Sequence, residues 1–303
     1  MSSCSQNIRK TPDNKYIFND EQLLGDGISA EVYRCQDSKT GKEYAIKLFE
    51  EDYDNSDEIK MNKRIKEIGN PSFAKYIDSS NDYIVFDFYE KGDLMKYLKF
   101  VKKDKLMKFI IFKILKIVQI LHKNGISHRD LKPNNFFLAK NFSFKLGDFG
   151  QSLSFFDQNN KKILLSGDCG TLKYRAPEIN GSDFYDGEKI DIFSIGVILF
   201  GIKIKGCPFP KASPDDFLYK YIMNKDEDNY WKTYERIINL PHLSKEFKNL
   251  FFKMVSFNPN ERPTIEEILK DPWLAEVTSL DKDGLELLEQ ELIKEFKECE
   301  EYF

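Results

Sequence analysis

Near residues 90–92 the apolar residues of this chain change their period, and that change limits the folds open to it. Before it lie short runs rich in β-branched and aromatic residues: YIFNDEQLLGDGISAEVYRC from Tyr16, KEYAIKLF from Lys42 and YIVFDF at 83–88. Their period near two predicts strands, with Lys39-Thr40-Gly41-Lys42 as a hairpin turn between the first two runs. One helix interrupts them at 56–68, where Ile59, Met61, Ile65 and Ile68 recur at helical spacing behind Ser56 or Asp57. Beyond Gly92, helical spacing runs through 93–99, 105–123, 189–203, 215–223, 244–255 and 264–270. Two short strands break that half between 135 and 148. The order predicts an α+β chain with a small β-rich half and a larger helical half. Residues 1–15 are polar and are expected to be disordered.

The 303 residues suffice for one large domain or two lobes sharing a cleft. A net charge of -4 supplies no basic field, so neither nucleic acid nor an acidic membrane surface is an expected partner. Cys4, Cys35, Cys169, Cys207 and Cys299 are far apart and form no CxxC pair. That argues against a disulfide framework or zinc site and for a reducing compartment. MSSCSQNIRK has no apolar core of a signal peptide, and Ser2 stands where myristoylation needs glycine. The apolar stretch 109–121 is broken by Lys113 and Lys116, and the run 192–202 is too short to cross a bilayer. A cytoplasmic location is expected; with no convincing basic cluster, a nuclear one stays open.

Chemistry-bearing residues come in a fixed order. Gly25-Asp26-Gly27, with Ala30 and Val32, forms a strand, a glycine turn and a strand, so backbone N–H groups can approach phosphates. A dinucleotide-binding turn would lead into a helix, and EVYRC reads as a strand. Lys47 ends the next strand and needs an acidic partner to stay charged inside a fold. Glu58 on the following helix is the first candidate and Glu67 the reserve. His128-Arg129-Asp130-Leu131-Lys132-Pro133-Asn134-Asn135 is the strongest signal. Asp130 can orient a hydroxyl and take its proton, Lys132 can neutralise a transferred phosphoryl group, and Asn135 offers an oxygen to Mg²⁺. Asp148-Phe149-Gly150 follows the strand FSFKLG, and the Asp148 carboxylate suits a hard cation bridging phosphates. Ala176-Pro177-Glu178 closes the stretch that follows. Neither His122 nor His242 has a metal-spaced partner.

Over 16–274 these motifs, in this order, resemble the eukaryotic protein kinase family. Asp191 in DIFSIGVIL resembles the family's central-helix aspartate, which pins the HRD backbone. Arg262 in NPNERPT resembles the arginine that pairs with the APE glutamate, here Glu178. IEEILKDPWL resembles the last helix of the domain. The resemblance implies an N-lobe over 16–90, a C-lobe over 91–274 and ATP between them. Leu24, Gly25, Asp26, Gly27 and Ala30 would cover the phosphates. Val32, Ala45 and Phe137 would sandwich the adenine, Asp87 and Tyr89 would lie on the hinge, Phe86 would be the gatekeeper, and Asp93 would meet the ribose. Lys47, held by Glu58, would bind the α- and β-phosphates. Asp148 and Asn135 would hold Mg²⁺. Asp130 and Lys132 would act on the reacting groups.

Lys132-Pro133 and Thr171 in CGTLKYRAPE resemble the serine/threonine type, so protein serine and threonine hydroxyls are the expected acceptors. The alternative is a catalytically silent pseudokinase scaffold, which usually loses the lysine or a motif aspartate; here Lys47, Asp130 and Asp148 are all in place. Gly167 occupies the usual phosphothreonine position, so Ser166 or the fixed charge of Asp168 is expected beside Arg129, with transfer independent of phosphorylation there. The acidic tail over 275–303 carries Leu285, Leu288, Leu292 and Phe296 on one helical face, to pack on the larger lobe, extend into solvent or bind a partner. A monomer is expected.

Overall fold

The computed structural model describes residues 8–27, 30–50, 53–238 and 242–302. They form two compact units, one of 8–92 and 137–150, the other of 93–136 and 151–302. The division departs from two consecutive lobes: 137–150 returns to the first unit, and the tail belongs to the second.

The first unit is an antiparallel sheet built on alternation. Its strands are β1 (Ile8–Lys10), β2 (Tyr16–Asn19), β3 (Leu23–Asp26), β4 (Ala30–Asp37), β5 (Glu43–Phe49), β6 (Tyr76–Ser79) and β7 (Tyr83–Asp87). The order is β1-β2-β4-β5-β7-β6, with β3 also on β4. Tyr16, Phe18, Tyr33, Cys35, Ile46, Tyr83 and Val85 form one buried cluster. Register aligns Tyr33 with Ile46 and Val85. Since side chains alternate across a strand, the residues one step away point to the other face. There Val32 opposes Lys47, Lys47 opposes Ile84, and Ala45 opposes Phe86. A single register thus presents four of the expected nucleotide-binding residues together.

Helix α1 (Ser56–Ile68) buries Glu58, Met61, Asn62 and Ile65 on one stripe and stops at Gly69, whose φ of 66° is a left-handed cap. The strands Phe136–Leu138 and Phe144–Leu146 form a separate pair. Disorder over 1–15 does not hold for residues 8–15. Residues 8–10 pair with 17–19, Arg9 lies over the rings of Phe18 and Tyr33, and Tyr83 donates a 2.7 Å hydrogen bond to Asp13. Residues 1–7 lie outside the described residues.

The second unit is mainly helical: α2 (Met95–Leu98), α3 (Asp104–Lys123), α4 (Gly187–Ile204), α5 (Tyr219–Met223), α6 (Glu227–Ile237), α7 (Lys245–Met254), α8 (Ile265–Leu269), α9 (Ala275–Thr278) and α10 (Lys282–Cys299). The apolar α4 is buried on nearly every side, and Asp186 caps it by accepting from the N–H groups of Glu188 and Lys189. A Cβ on Gly196 would come within 2.9 Å of Met254 and Val255, so glycine lets α4 approach α7. The stretch 215–218, expected in a helix, is not helical; the Asp216 side chain accepts from Leu218 N and Tyr219 N, and α5 begins at Tyr219. In α10, Leu288, Leu292 and Phe296 are buried, with Phe296 4.8 Å from the ring of Tyr97. Lys113 of α3, largely buried, meets both carboxylate oxygens of Glu289 at 2.5 Å. These three residues of the tail's apolar face are covered by its own chain, while Leu285 is half-buried.

Candidate active site

In the first unit, a lysine sits between two carboxylates. Lys47 leaves the sheet on the face away from the core, and the first turn of α1 brings Glu58 to it. Lys47 Nζ lies 2.7 and 2.9 Å from the two Glu58 oxygens and 3.5 Å from Asp148 Oδ1. Burial opposes the ammonium charge, yet Asp148 and Glu58 outweigh it and raise the Lys47 pKa. Burial pushes the Glu58 carboxyl up while Lys47 draws it down. Glu67, the reserve partner, is exposed at the far end of α1.

The backbone around Asp148 is shaped for this cluster. Asp148 has φ 58°, a left-handed conformation that aspartate tolerates better than most residues. Phe149 is fully buried, edge-on to Phe73 at 5.8 Å. A Cβ on Gly150 would come within 2.7 Å of Glu58 Oε2, so only glycine leaves that carboxylate room.

In the second unit the arrangement is inverted: a carboxylate is surrounded by donors. Asp130 Oδ1 accepts from Thr171 N at 2.7 Å and Thr171 Oγ1 at 2.8 Å. Its Oδ2 accepts from Lys132 Nζ at 2.7 Å and lies 3.4 Å from Asn135 Nδ2. Lys132 Nζ also donates to Thr171 Oγ1 at 2.8 Å. Burial works against ionisation of Asp130, but Lys132 and Thr171 win and hold its carboxyl below the ordinary range.

The loop carrying Asp130 is pinned from beneath. Asp191, wholly buried, accepts from His128 N and Arg129 N, both at 2.9 Å, and bonds His122 Nε2 at 2.8 Å. The His122 contact was missed: nothing in the spacing of residues 122 and 191 announces it. Arg262, 1% exposed, meets Glu178 at 2.6 and 2.8 Å, the pairing expected between them. Of the two residues expected beside Arg129, Ser166 is there and Asp168 is not. Asp168 pairs instead with Arg175 at 2.6 Å, and Ser166 offers Arg129 only its carbonyl.

The remaining expected nucleotide-binding residues fall as follows. Leu24, Gly25, Asp26 and Gly27 are exposed in and beside β3, and Ala30, at the start of β4, is buried. Gly27 N donates to Ala30 O at 3.0 Å; residues 28 and 29 lie outside the described residues. Phe137 stacks on Tyr89, centroids 6.0 Å apart. Asp87 N donates to Lys75 O at 3.0 Å. Asp93 accepts from Asn134 Nδ2 at 2.9 Å and Lys96 N at 3.2 Å.

The donor chemistry fits a hard cation. The amide nitrogen of Asn135 is bound to Asp130 O at 2.8 Å, and its Oδ1 receives no hydrogen bond among the described residues. The Asp148 side chain keeps 43% of its surface exposed. Both offer carboxylate or amide oxygens, the ligands Mg²⁺ prefers.

A family model for the protein kinase domain matches residues 18–274. CBL-interacting serine/threonine-protein kinase 14 of Arabidopsis thaliana is 31% identical over 263 residues, 83% of this chain and 57% of that protein. An Aurora kinase of Schizosaccharomyces pombe is 27% identical over 272 residues, 85% of this chain and 71% of that protein. The liver/testis phosphorylase b kinase gamma catalytic chain of Rattus norvegicus is 29% identical over 278 residues, 84% and 66%. The chain spans just over half the length of several such relatives. No helix among the described residues is long and apolar enough to cross a membrane. With the protein kinase domain model matched over most of its length, this chain belongs to the protein kinase family.

Proposed function

We propose that this chain transfers the γ-phosphoryl group of ATP to serine or threonine hydroxyls of protein substrates. The observation that carries the reading is the state of Asp130: a buried carboxylate kept ionised by Lys132 and Thr171. Such a group can accept the hydrogen bond of a substrate hydroxyl and take its proton as the oxygen attacks phosphorus. Lys132, bonded to it at 2.7 Å, balances negative charge developing on the transferred group. Lys47 keeps its proton and serves the α- and β-phosphates, with Glu58 fixing its direction. Val32, Ala45, Phe86 and Phe137 form the apolar walls for the adenine, and Asp93 serves the ribose. Asn135 Oδ1 and the Asp148 carboxylate would serve as ligands for Mg²⁺, which would supply charge neutralisation of phosphate oxygens.

Lys132 two residues after Asp130, joined to Thr171, favours serine and threonine as acceptors. The check is phosphoamino-acid analysis of casein labelled by the full chain with γ-labelled ATP and Mg²⁺. Phosphoserine or phosphothreonine is the expected product, and phosphotyrosine alone would overturn the acceptor assignment.

A further inference from the structure

Arg129, 8% exposed, has no anionic partner among the described residues. Its Nε donates to the Tyr185 hydroxyl at 3.1 Å, and Nη2 donates to the same oxygen. Nη1 donates to Gln151 O at 3.1 Å, and Nη2 also reaches Ser166 O and Gly167 O at 2.8 and 3.2 Å. All these acceptors are neutral. Asp168, the carboxylate that follows Gly167, is 75% exposed and bound to Arg175.

Tyr185 is placed to be the principal partner. It is 3% exposed, bridged backbone to backbone with Leu165 at 2.8 Å in both directions. Its oxygen accepts from the guanidinium and its proton goes to Gly167 O at 2.7 Å. Burial pushes the phenol up to about 12, so it stays neutral across ordinary pH.

The consequence reaches Asp130 through two short links. Arg129 precedes Asp130, with its backbone in the left-handed region at φ 68° and its N–H fixed by Asp191. Gly170 lies so close that a Cβ there would meet Arg129 O at 2.9 Å. The Gly170 N–H is bound to Gln151 Oε1 and its carbonyl to Arg175 Nη2 at 2.7 Å. The next residue is Thr171, whose N–H and hydroxyl both reach Asp130.

We propose that Tyr185 is a positioning residue for phosphoryl transfer. Its hydroxyl takes the place of an anion beside Arg129 and latches 166–171 so that Thr171 stays on Asp130 without phosphorylation of that segment. The proposal rests on the transfer reading above and names how that site is kept in order.

The test uses the full chain after phosphatase treatment, with casein as acceptor and saturating Mg²⁺ and ATP. Treated wild type and Ser166→Ala should turn over within about twofold of the untreated chain. Tyr185→Phe should lower kcat about tenfold, the scale of a displaced catalytic group, with KM for ATP nearly unchanged. Added to Arg129→Ala, it should cost less than it does alone, because the hydroxyl acts on 166–171 both through that guanidinium and directly at Gly167 O. Amide hydrogen exchange at 166–171 should quicken in Tyr185→Phe, with protection elsewhere retained. Wild-type kcat in Tyr185→Phe overturns the proposal, as does treated wild type that is dead until Ser166 is phosphorylated. Exchange reads the latch without turnover. A chain that transfers nothing, yet loosens at 166–171 in Tyr185→Phe, keeps the latch and removes the transfer reading instead.

Discussion

Each unit contains a lysine bonded to a carboxylate, and the two pairs protect opposite charges. In the first, Lys47 has 17% of its side chain exposed and two carboxylates against it, so negative charge is in excess and the proton stays on the amine. In the second, Asp130 has 6% exposed and receives Thr171, Lys132 and Asn135, so donors are in excess and the carboxyl stays ionised. Identical chemical groups thus become a cation reserved for phosphate and a base reserved for a hydroxyl. The number of partners on each side makes the difference, not the residue types.

Three substitutions break or sharpen that contrast. Lys47→Met removes the cation of the first pair and leaves Glu58 buried without a partner. Transfer should fall at least about a hundredfold in kcat/KM, the scale of one lost electrostatic contact to a reacting group, in steady-state assays. Near-normal turnover would contradict its role. Glu58→Gln keeps the lysine and removes only its fixing charge. A loss of about tenfold is expected, because a positioning contact is lost while the cation remains. An effect as large as that of Lys47→Met would mean that the glutamate does more than orient.

Thr171→Val should be smallest at neutral pH and show itself in the pH profile. The Asp130 carboxyl is depressed in the folded chain, so the stabilisation it contributes is present above its unfolded value, about 3.9, and fades as pH falls through the folded value. Without the Thr171 hydroxyl the folded value rises. The acid limb of kcat should move upward, and stability at neutral pH should fall while stability at very low pH does not change. An unmoved limb would show that the Thr171 hydroxyl does not set the charge of Asp130, leaving Lys132 and the backbone N–H of residue 171 to do so.

Much of this was legible in the sequence because it is local. The spacing of Ile59, Met61, Ile65 and Ile68 drew α1 over its full length of Ser56–Ile68, and the strand alternation drew the sheet. The HRD and DFG residues were also readable, since short spacings carry their geometry. What stayed hidden depends on distant partners or on disguised polarity. Tyr185 is 56 residues from Arg129 and looks like an ordinary loop tyrosine. Helix α6 was missed because its buried face is Tyr230, Trp231 and Tyr234, set among acidic and polar residues that lower its apparent apolar signal. Strand β1 was lost in a polar terminus. There Thr11-Pro12-Asp13-Asn14 was a turn signal that could have been used, and Asn14 takes the left-handed conformation at φ 58°.

The most direct measurement is transfer from γ-labelled ATP to casein by the full chain and by Asp130→Asn, with ATP binding followed in both. The substitution keeps size and shape and removes the charge that Thr171 and Lys132 surround. The expected result is labelled casein with the wild type, a kcat lower by about a hundredfold or more with the variant, and ATP binding within about twofold. Equal turnover by the two chains, both folded and binding ATP, would contradict the role of Asp130 and with it the transfer reading of the site.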